Sequence, residues 1–220
     1  MKKYKTVILD LDNTIVLHDY SNEIADLANK FHIPCSKDFK KQCVSLLNDY
    51  TKFCYGKPVT LDLMLSIIKN LVPILSNYSI TPEIFLETWR NNDNSIYSSA
   101  SMEALKYLKK QKYNIVAFTD WFTEDQSNTL KKLGYLSYFN TIYGWDNNYC
   151  KPDIRGLANI VKGNPKSEYI LIGDSLEKDI QCANSFGIDS IWFNPDSQKN
   201  SSSIAPTYTI SSITDIKNYL

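Results

Sequence analysis

The chain has 220 residues, 43% of them hydrophobic and 22% charged, which suits one globular domain or a core with a smaller insert and excludes disordered, collagenous and coiled-coil classes. Lys+Arg and Asp+Glu are 24 each, so the formal charge is zero and the basic footprint of a nucleic-acid binder is missing. No apolar run approaches the roughly 20 residues that span a bilayer, no signal-peptide pattern opens the chain, and five scattered cysteines without a CxxC pair support neither a zinc site nor a disulfide framework. These features predict a cytoplasmic protein with reduced thiols and no membrane partner.

Thr6-Val7-Ile8-Leu9 reads as a fully buried strand ending in Asp10-Leu11-Asp12-Asn13-Thr14. Residues from about 20 to 92 then read as helices. Ile24, Leu27, Ala28 and Phe31 share one face, Ser36 caps a helix running toward Tyr55, and Leu61, Met64, Leu65 and Ile68 form a further stripe. Pro73 breaks that stripe, and Thr81-Pro82 opens the next helix. Tyr50, Phe53, Tyr55 and Trp89 are assigned mostly to the interior of this segment, with one or two open to lining a pocket.

From about residue 100 the rhythm alternates. Helices are expected around Ala104–Leu108, over Glu124–Leu133, Ile154–Val161 and Leu176–Phe186, and at Ile213–Leu220. Strands are expected at Asn114–Thr119, Tyr138–Tyr143, Tyr169–Asp174, Ser190–Phe193 and Tyr208–Ile210. The pattern is α/β: a Rossmann-like parallel-sheet core from residues 1–16 and 96–220, with residues 17–95 inserted as an all-helical cap. An insert placed directly after the first strand would lie over the carboxyl edge of the sheet. Its hinges would be at Val16–His18 and Asn94–Ser98, where helical periodicity stops.

In an open parallel sheet the ligand sits beyond the carboxyl ends of the strands. The first predicted strand ends in Asp10 and Asp12, the second in Thr119 and Asp120, and a third in Gly173-Asp174-Ser175 with Asp179 beyond. Lys151 precedes Pro152 and Asp153 at a helix start. Asp-x-Asp alone is a common turn, and a lone Lys-Pro carries little. The weight is in the combination, every element falling at a strand end or in the loop after it. Four carboxylates in one cleft repel one another unless a cation joins them, and Mg²⁺ with oxygen ligands and a substrate phosphate fits. An aspartate can attack phosphorus, and a carboxyl two residues on can protonate the leaving oxygen and later activate water. Trp121-Phe122 follows at the rim, either packed against the cap or stacking on a nucleobase. His18 reads as a solvent-facing hinge residue, with contact to the substrate as the alternative.

Asp10-Leu11-Asp12-Asn13-Thr14, Thr119, Lys151-Pro152-Asp153 and Gly173-Asp174-Ser175-x-x-x-Asp179 resemble the four motifs of haloacid dehalogenase-like hydrolases, in order and spacing. The resemblance implies a Rossmann-like core with a helical cap, Mg²⁺ as cofactor, Asp10 as nucleophile and Asp12 as general acid/base. It implies phosphate binding by Thr119 and Lys151. It implies metal ligation by Asp10, the backbone carbonyl of Asp12 and Asp174, with Asp179 in support. Asp120 is set against a substrate hydroxyl or turned away. Dehalogenating members lack an acid at the position of Asp12, so the resemblance favours a phosphatase for a small phosphorylated metabolite, acting as monomer or homodimer. The stretch from Gly173 to Ile210 is similar to bacterial nucleoside 5′-monophosphatases of that superfamily. Phosphoglycolate or sugar-phosphate phosphatase, phosphomutase, and a non-catalytic phosphate- or partner-binding relative stay open. A receiver-type signalling domain, which also uses acids, Thr and Lys, is disfavoured by the helical insert. The irregular polar run Gly144–Cys150 leaves the approach to Lys151 unassigned.

Overall fold

The structure is a computed structural model and describes residues 3–54, 57 and 59–220. It divides into two compact units, Met1–Leu17 with Ile96–Leu220, and His18–Ser95. The first unit is built on a six-stranded sheet. Its strands are β1 (Thr6–Leu9), β4 (Asn114–Phe118), β5 (Thr141–Tyr143), β6 (Tyr169–Gly173), β7 (Asp189–Phe193) and β8 (Tyr208–Ile210). β2 (Leu17–His18) and β3 (Ser95–Ile96) pair with each other where the chain passes between the units.

The large sheet has the order β5-β4-β1-β6-β7-β8, and every pair is parallel. β1 is central, with Leu9 opposite Ala117 on one side and Ile172 on the other. All four of its residues are buried because helices cover both faces of the sheet. On one side, Val7, Leu9, Ile115 and Ile172 pack with Leu105 and Leu108 of α5 (Ser99–Lys110) and Leu130 of α6 (Thr123–Lys132). On the other, Ile8, Val116, Phe118 and Leu171 pack with Leu157 of α7 (Ile154–Val161) and Cys182 and Ala183 of α8 (Gln181–Phe186).

Two expected helices differ. Ile213–Asn218 is 3₁₀, capped by the Ser212 side chain, a short segment whose Ile213 and Ile216 face the core with the three-residue spacing that 3₁₀ geometry aligns. Leu176–Ile180 is a turn of π-helix before α8, and Gly187, with φ +85, ends α8 in the left-handed region. The strand expected over Tyr138–Tyr143 begins only at Thr141, since Leu136–Tyr138 forms a 3₁₀ turn.

The second unit is helical: α1 (Tyr20–Lys30), α2 (Lys37–Cys54), α3 (Leu61–Leu71) and α4 (Pro82–Arg90). The Ser36 hydroxyl accepts from Phe39 N, Thr60 caps α3, and Thr81 caps α4 with Pro82 at its first position. Tyr50 and Trp89 are buried, but Phe53, in the last turn of α2, is exposed; Tyr55 lies outside the described residues. Glu23 is buried, holds the Trp89 indole N–H and accepts at its carbonyl from the Asn92 amide, and Lys30 donates to Asn92 at 2.6 Å. No helix among the described residues is long and apolar enough to cross a membrane.

Candidate active site

The parallel register brings the candidate residues together. Asp10, Thr119 and Asp174 each follow the last residue of β1, β4 and β6, which are adjacent strands, so all three stand at one sheet edge. Asp10 continues the ladder by donating from its N–H to the Ile172 carbonyl at 2.9 Å. After it the chain turns tightly. Asn13 adopts φ +60, and the N–H groups of Thr14, Ile15 and Val16 all converge on the Leu11 carbonyl. Asparagine tolerates that left-handed conformation better than most residues. The turn aims the Thr14 hydroxyl at Asp10, donating to Oδ2 at 2.9 Å.

Lys151 reaches this edge from the loop before α7. It is 2% exposed, among the most buried large side chains of the protein. Its Nζ lies 2.5 Å from Asp10 Oδ1 and 2.7 Å from Asp179 Oδ1. Burial alone would lower the Lys151 ammonium, but Asp10, Asp179 and Asp120 more than reverse this and hold it well above its usual value. Asp120 accepts the Lys151 backbone N–H at 2.9 Å, so this carboxylate clamps the loop that delivers the lysine. Burial raises Asp120 above the ordinary carboxylate range, with Lys151 and Lys178 opposing.

Asp179 belongs to the π-helical turn, and its second oxygen accepts the Ser175 N–H at 3.1 Å. Gly173 makes this approach possible, since a Cβ there would stand 2.2 Å from Asp179 Cγ. The Trp192 indole N–H donates to the Asp174 carbonyl at 2.8 Å and fixes that turn from β7. Asp12, two residues past Asp10, has a different set of partners. Its Oδ2 accepts from Gln126 Nε2 at 2.8 Å and from the Thr119 hydroxyl at 3.3 Å.

The donor set suits a hard divalent cation. Asp10, Asp174 and Asp179 each place a carboxylate oxygen within 4.8 Å of the others. Burial pushes Asp10 well above its ordinary value; Lys151 pulls it back, and Asp179, Asp174 and Asp12 push it up again. Burial, with Asp179 next, lifts Asp174 to about 7. The one buried ammonium among the described residues, Lys151, does not balance these carboxylates, and an oxygen-ligated cation such as Mg²⁺ would.

The run Gly144–Cys150, irregular in sequence, is largely anchored. Trp145 is buried against Trp121 and Phe122, with ring centroids at 5.4 and 4.7 Å. Asp146 accepts from the N–H and hydroxyl of Thr123, and Asn148 donates to the Gly156 carbonyl. Trp121 and Phe122 thus pack within the first unit. His18 stacks on Tyr20 at 5.3 Å. Two participants escaped the sequence reading. Thr14 carried a signal, as a hydroxyl inside the first motif. Gln126 carried none, as one polar residue in a polar helix.

A sequence model of the family described as haloacid dehalogenase-like hydrolase matches residues 7–193. The chain is 26% identical to the pyrimidine 5′-nucleotidase PynA of Streptococcus pneumoniae, over 99% of this chain and 95% of that one. Its fold is similar to that of YfnB of Bacillus subtilis, a HAD-hydrolase solved bound to magnesium, with a TM-score of 0.78 at 22% identity over 100% of this chain and 99% of that one. It is also similar to that of the L-2-haloacid dehalogenase of Xanthobacter autotrophicus, with a TM-score of 0.73 at 12% identity over 98% and 97%. With four motifs at the edge of a parallel sheet and a family match spanning residues 7–193, the chain belongs to the haloacid dehalogenase-like hydrolases.

Proposed function

We propose that the chain is a Mg²⁺-dependent phosphomonoesterase that acts through an aspartyl-phosphate, with a nucleoside 5′-monophosphate as its substrate. The observation that carries the reading is the separation of two carboxylates two residues apart. Asp10 is held by Lys151 and Thr14, while Asp12 is held by Gln126 and Thr119. Displacement at a carbon–halogen bond needs no second acid, because halide leaves without a proton. An alkoxide leaving group does need one.

Asp10 attacks phosphorus, with Lys151 and Thr14 fixing the plane of its carboxylate. Asp12 gives its proton to the departing oxygen and then takes one from the water that hydrolyses the acyl phosphate. Lys151, kept charged by its acidic neighbours, and the Thr119 hydroxyl bind phosphate oxygens. Asp10, the Asp12 carbonyl and Asp174 would hold Mg²⁺, with Asp179 supporting through Lys151 and Ser175. When bound, the cation would offset the charge of the carboxylates and of the phosphate. The helical unit His18–Ser95 acts as the cap that selects the leaving group. The nucleotide assignment is supported by the likeness to PynA. The chain would work in the cytoplasm as monomer or homodimer, without nucleic-acid or membrane partners.

The test is hydrolysis of a panel of pyrimidine and purine nucleoside 5′-monophosphates, sugar phosphates, phosphoglycolate and a 2-haloacid, with Mg²⁺ and with EDTA. The expected result is phosphate release, fastest from a nucleotide and abolished by EDTA. Halide release without phosphatase activity would overturn the reading.

A further inference from the structure

Gln126 is 3% exposed and sits on the face of α6 that turns into the first unit. Its amide nitrogen donates to Asp12 Oδ2 at 2.8 Å and to the Thr119 hydroxyl oxygen at 3.2 Å. Its amide oxygen, Oε1, is buried and has no hydrogen-bond partner among the described residues. An amide held this way is a poor choice for packing. Its unpartnered oxygen carries a desolvation penalty that a methionine or leucine of similar volume would avoid. What the amide supplies is a donor aimed at Asp12.

We infer that Gln126 is a positioning residue for Asp12, a role that rests on the phosphomonoesterase reading above. Thr119 has a single hydroxyl hydrogen, which here points at Asp12 Oδ2 from 3.3 Å, while its oxygen accepts from Gln126. When that hydrogen turns to a phosphate oxygen, Asp12 loses it. Gln126, with the shorter contact to the same oxygen, keeps the carboxyl in place. It also decides where the acid's proton resides. Gln126 Nε2 presents only hydrogens toward Oδ2, so a proton on Oδ2 would face a donor. The transferable proton therefore sits on Oδ1. In the transfer the Oδ1–H bond breaks and a bond from that hydrogen to the leaving oxygen forms. The P–O bond to the leaving group breaks, and its electron pair stays on that oxygen. Gln126 touches neither phosphate nor leaving group in this scheme and acts through Asp12 alone.

The experiment compares wild type, Gln126→Met, Asp12→Asn and the double variant on two esters with Mg²⁺: a nucleoside 5′-monophosphate, whose alkoxide needs a proton, and p-nitrophenyl phosphate, whose phenolate leaves with little help. Gln126→Met is expected to lower kcat on the nucleotide by about tenfold or more. It should leave kcat on p-nitrophenyl phosphate within about threefold and KM for both within about threefold. Asp12→Asn should show the same split, larger, and the double variant should lose no more than Asp12→Asn alone, since both changes remove one function. Equal losses on both esters from Gln126→Met, no loss on either, or losses that multiply in the double variant would overturn the inference while Asp12→Asn still splits the esters. If Asp12→Asn itself shows no split, or the wild type cleaves neither ester, the acid assignment or the phosphatase reading falls and takes this role with it. Should Gln126→Met fail to fold, Gln126→Leu also removes the donor without adding a charge and carries the same expectation. Failure of both to fold would assign Gln126 a purely structural part and overturn the inference.

Discussion

Lys151 is the residue on which the charge balance of the site turns. It is buried, it pairs with Asp10 and Asp179, and its own loop is clamped by Asp120. Removing one partner of a buried ionic cluster leaves the others uncompensated, which costs about 3–5 kcal/mol. Lys151→Met should therefore lower unfolding free energy by about that amount at pH 7.5 and by less at pH 5.5, where Asp10, Asp120 and Asp174, all raised by burial, more readily take up protons; urea unfolding at the two pH values reads both. Asp10→Asn has a different signature. It should reduce kcat on p-nitrophenyl phosphate below about a thousandth of wild type, because the uncatalysed hydrolysis of phosphate monoesters is extremely slow. Retention of a tenth of the rate would exclude Asp10 as nucleophile. Asp10 was readable in sequence because it sits at the end of an apolar strand, where a polar residue interrupts an obvious pattern; Lys151, in the loop before α7, was readable only through its place in the combination of four motifs. Gln126 was not readable in that way. It lies among Thr123, Glu124, Asp125, Ser127 and Asn128, where every neighbour is equally polar, and only the three-dimensional packing shows that this one faces inward.

At the scale of elements, the alternation of apolar strands and amphipathic helices was visible in the chain because fully buried parallel strands are short continuous apolar runs. Local geometry was less visible. A π-helical turn at Leu176–Ile180 and a 3₁₀ segment at Ile213–Asn218 share the composition of an α-helix and differ only in how their carbonyls are satisfied. The π-turn places Asp179 back over Gly173. Gly173→Ala would drive its Cβ into Asp179 Cγ at 2.2 Å, so the substitution should destabilise by about 2–3 kcal/mol and displace Asp179 from Lys151, lowering phosphatase activity as well. A second element-scale contact ties the start of β7 to the chain before β1: Asp189 accepts from the Tyr4 hydroxyl at 2.8 Å and pairs with Lys3 at 2.7 Å. Burial works against the Asp189 carboxylate, but Lys3 and Tyr4 outweigh it and set it below its ordinary value. A carboxyl lowered in the folded state stabilises above its unfolded pKa, about 4, and that contribution disappears as pH falls through the lower folded value. Asp189→Asn should thus cost about 1–2 kcal/mol at pH 6 and much less at pH 2.5; equal penalties at both would show that the contact acts through shape and not charge.

At the scale of the molecule, the chain leaves the first unit at Leu17 and returns at Ile96, and these exits are neighbours because β2 and β3 pair there. The helical unit between them has its own interior, with Phe39, Leu46, Ile67, Ile68, Phe85 and Trp89 all buried. The first unit has its complete sheet without it. A chain in which residues 18–95 are replaced by a three- or four-residue glycine-rich linker therefore needs only a short loop closure, and such closures are inexpensive. This shortened protein should fold with a cooperative transition and bind the phosphoryl group, since Asp10, Thr119, Lys151 and Asp174 all belong to the first unit. On the cap reading proposed above, turnover of p-nitrophenyl phosphate should persist within about a hundredfold of the full chain, exclusion of water being the contribution a cap would make. Discrimination among esters should collapse instead, with kcat/KM for nucleotides, sugar phosphates and phosphoglycolate converging to within a few-fold. If the shortened chain keeps the full-length order of preference, selection lies in the first unit, and the aromatic group Trp121, Phe122 and Trp145 becomes the place to look for it.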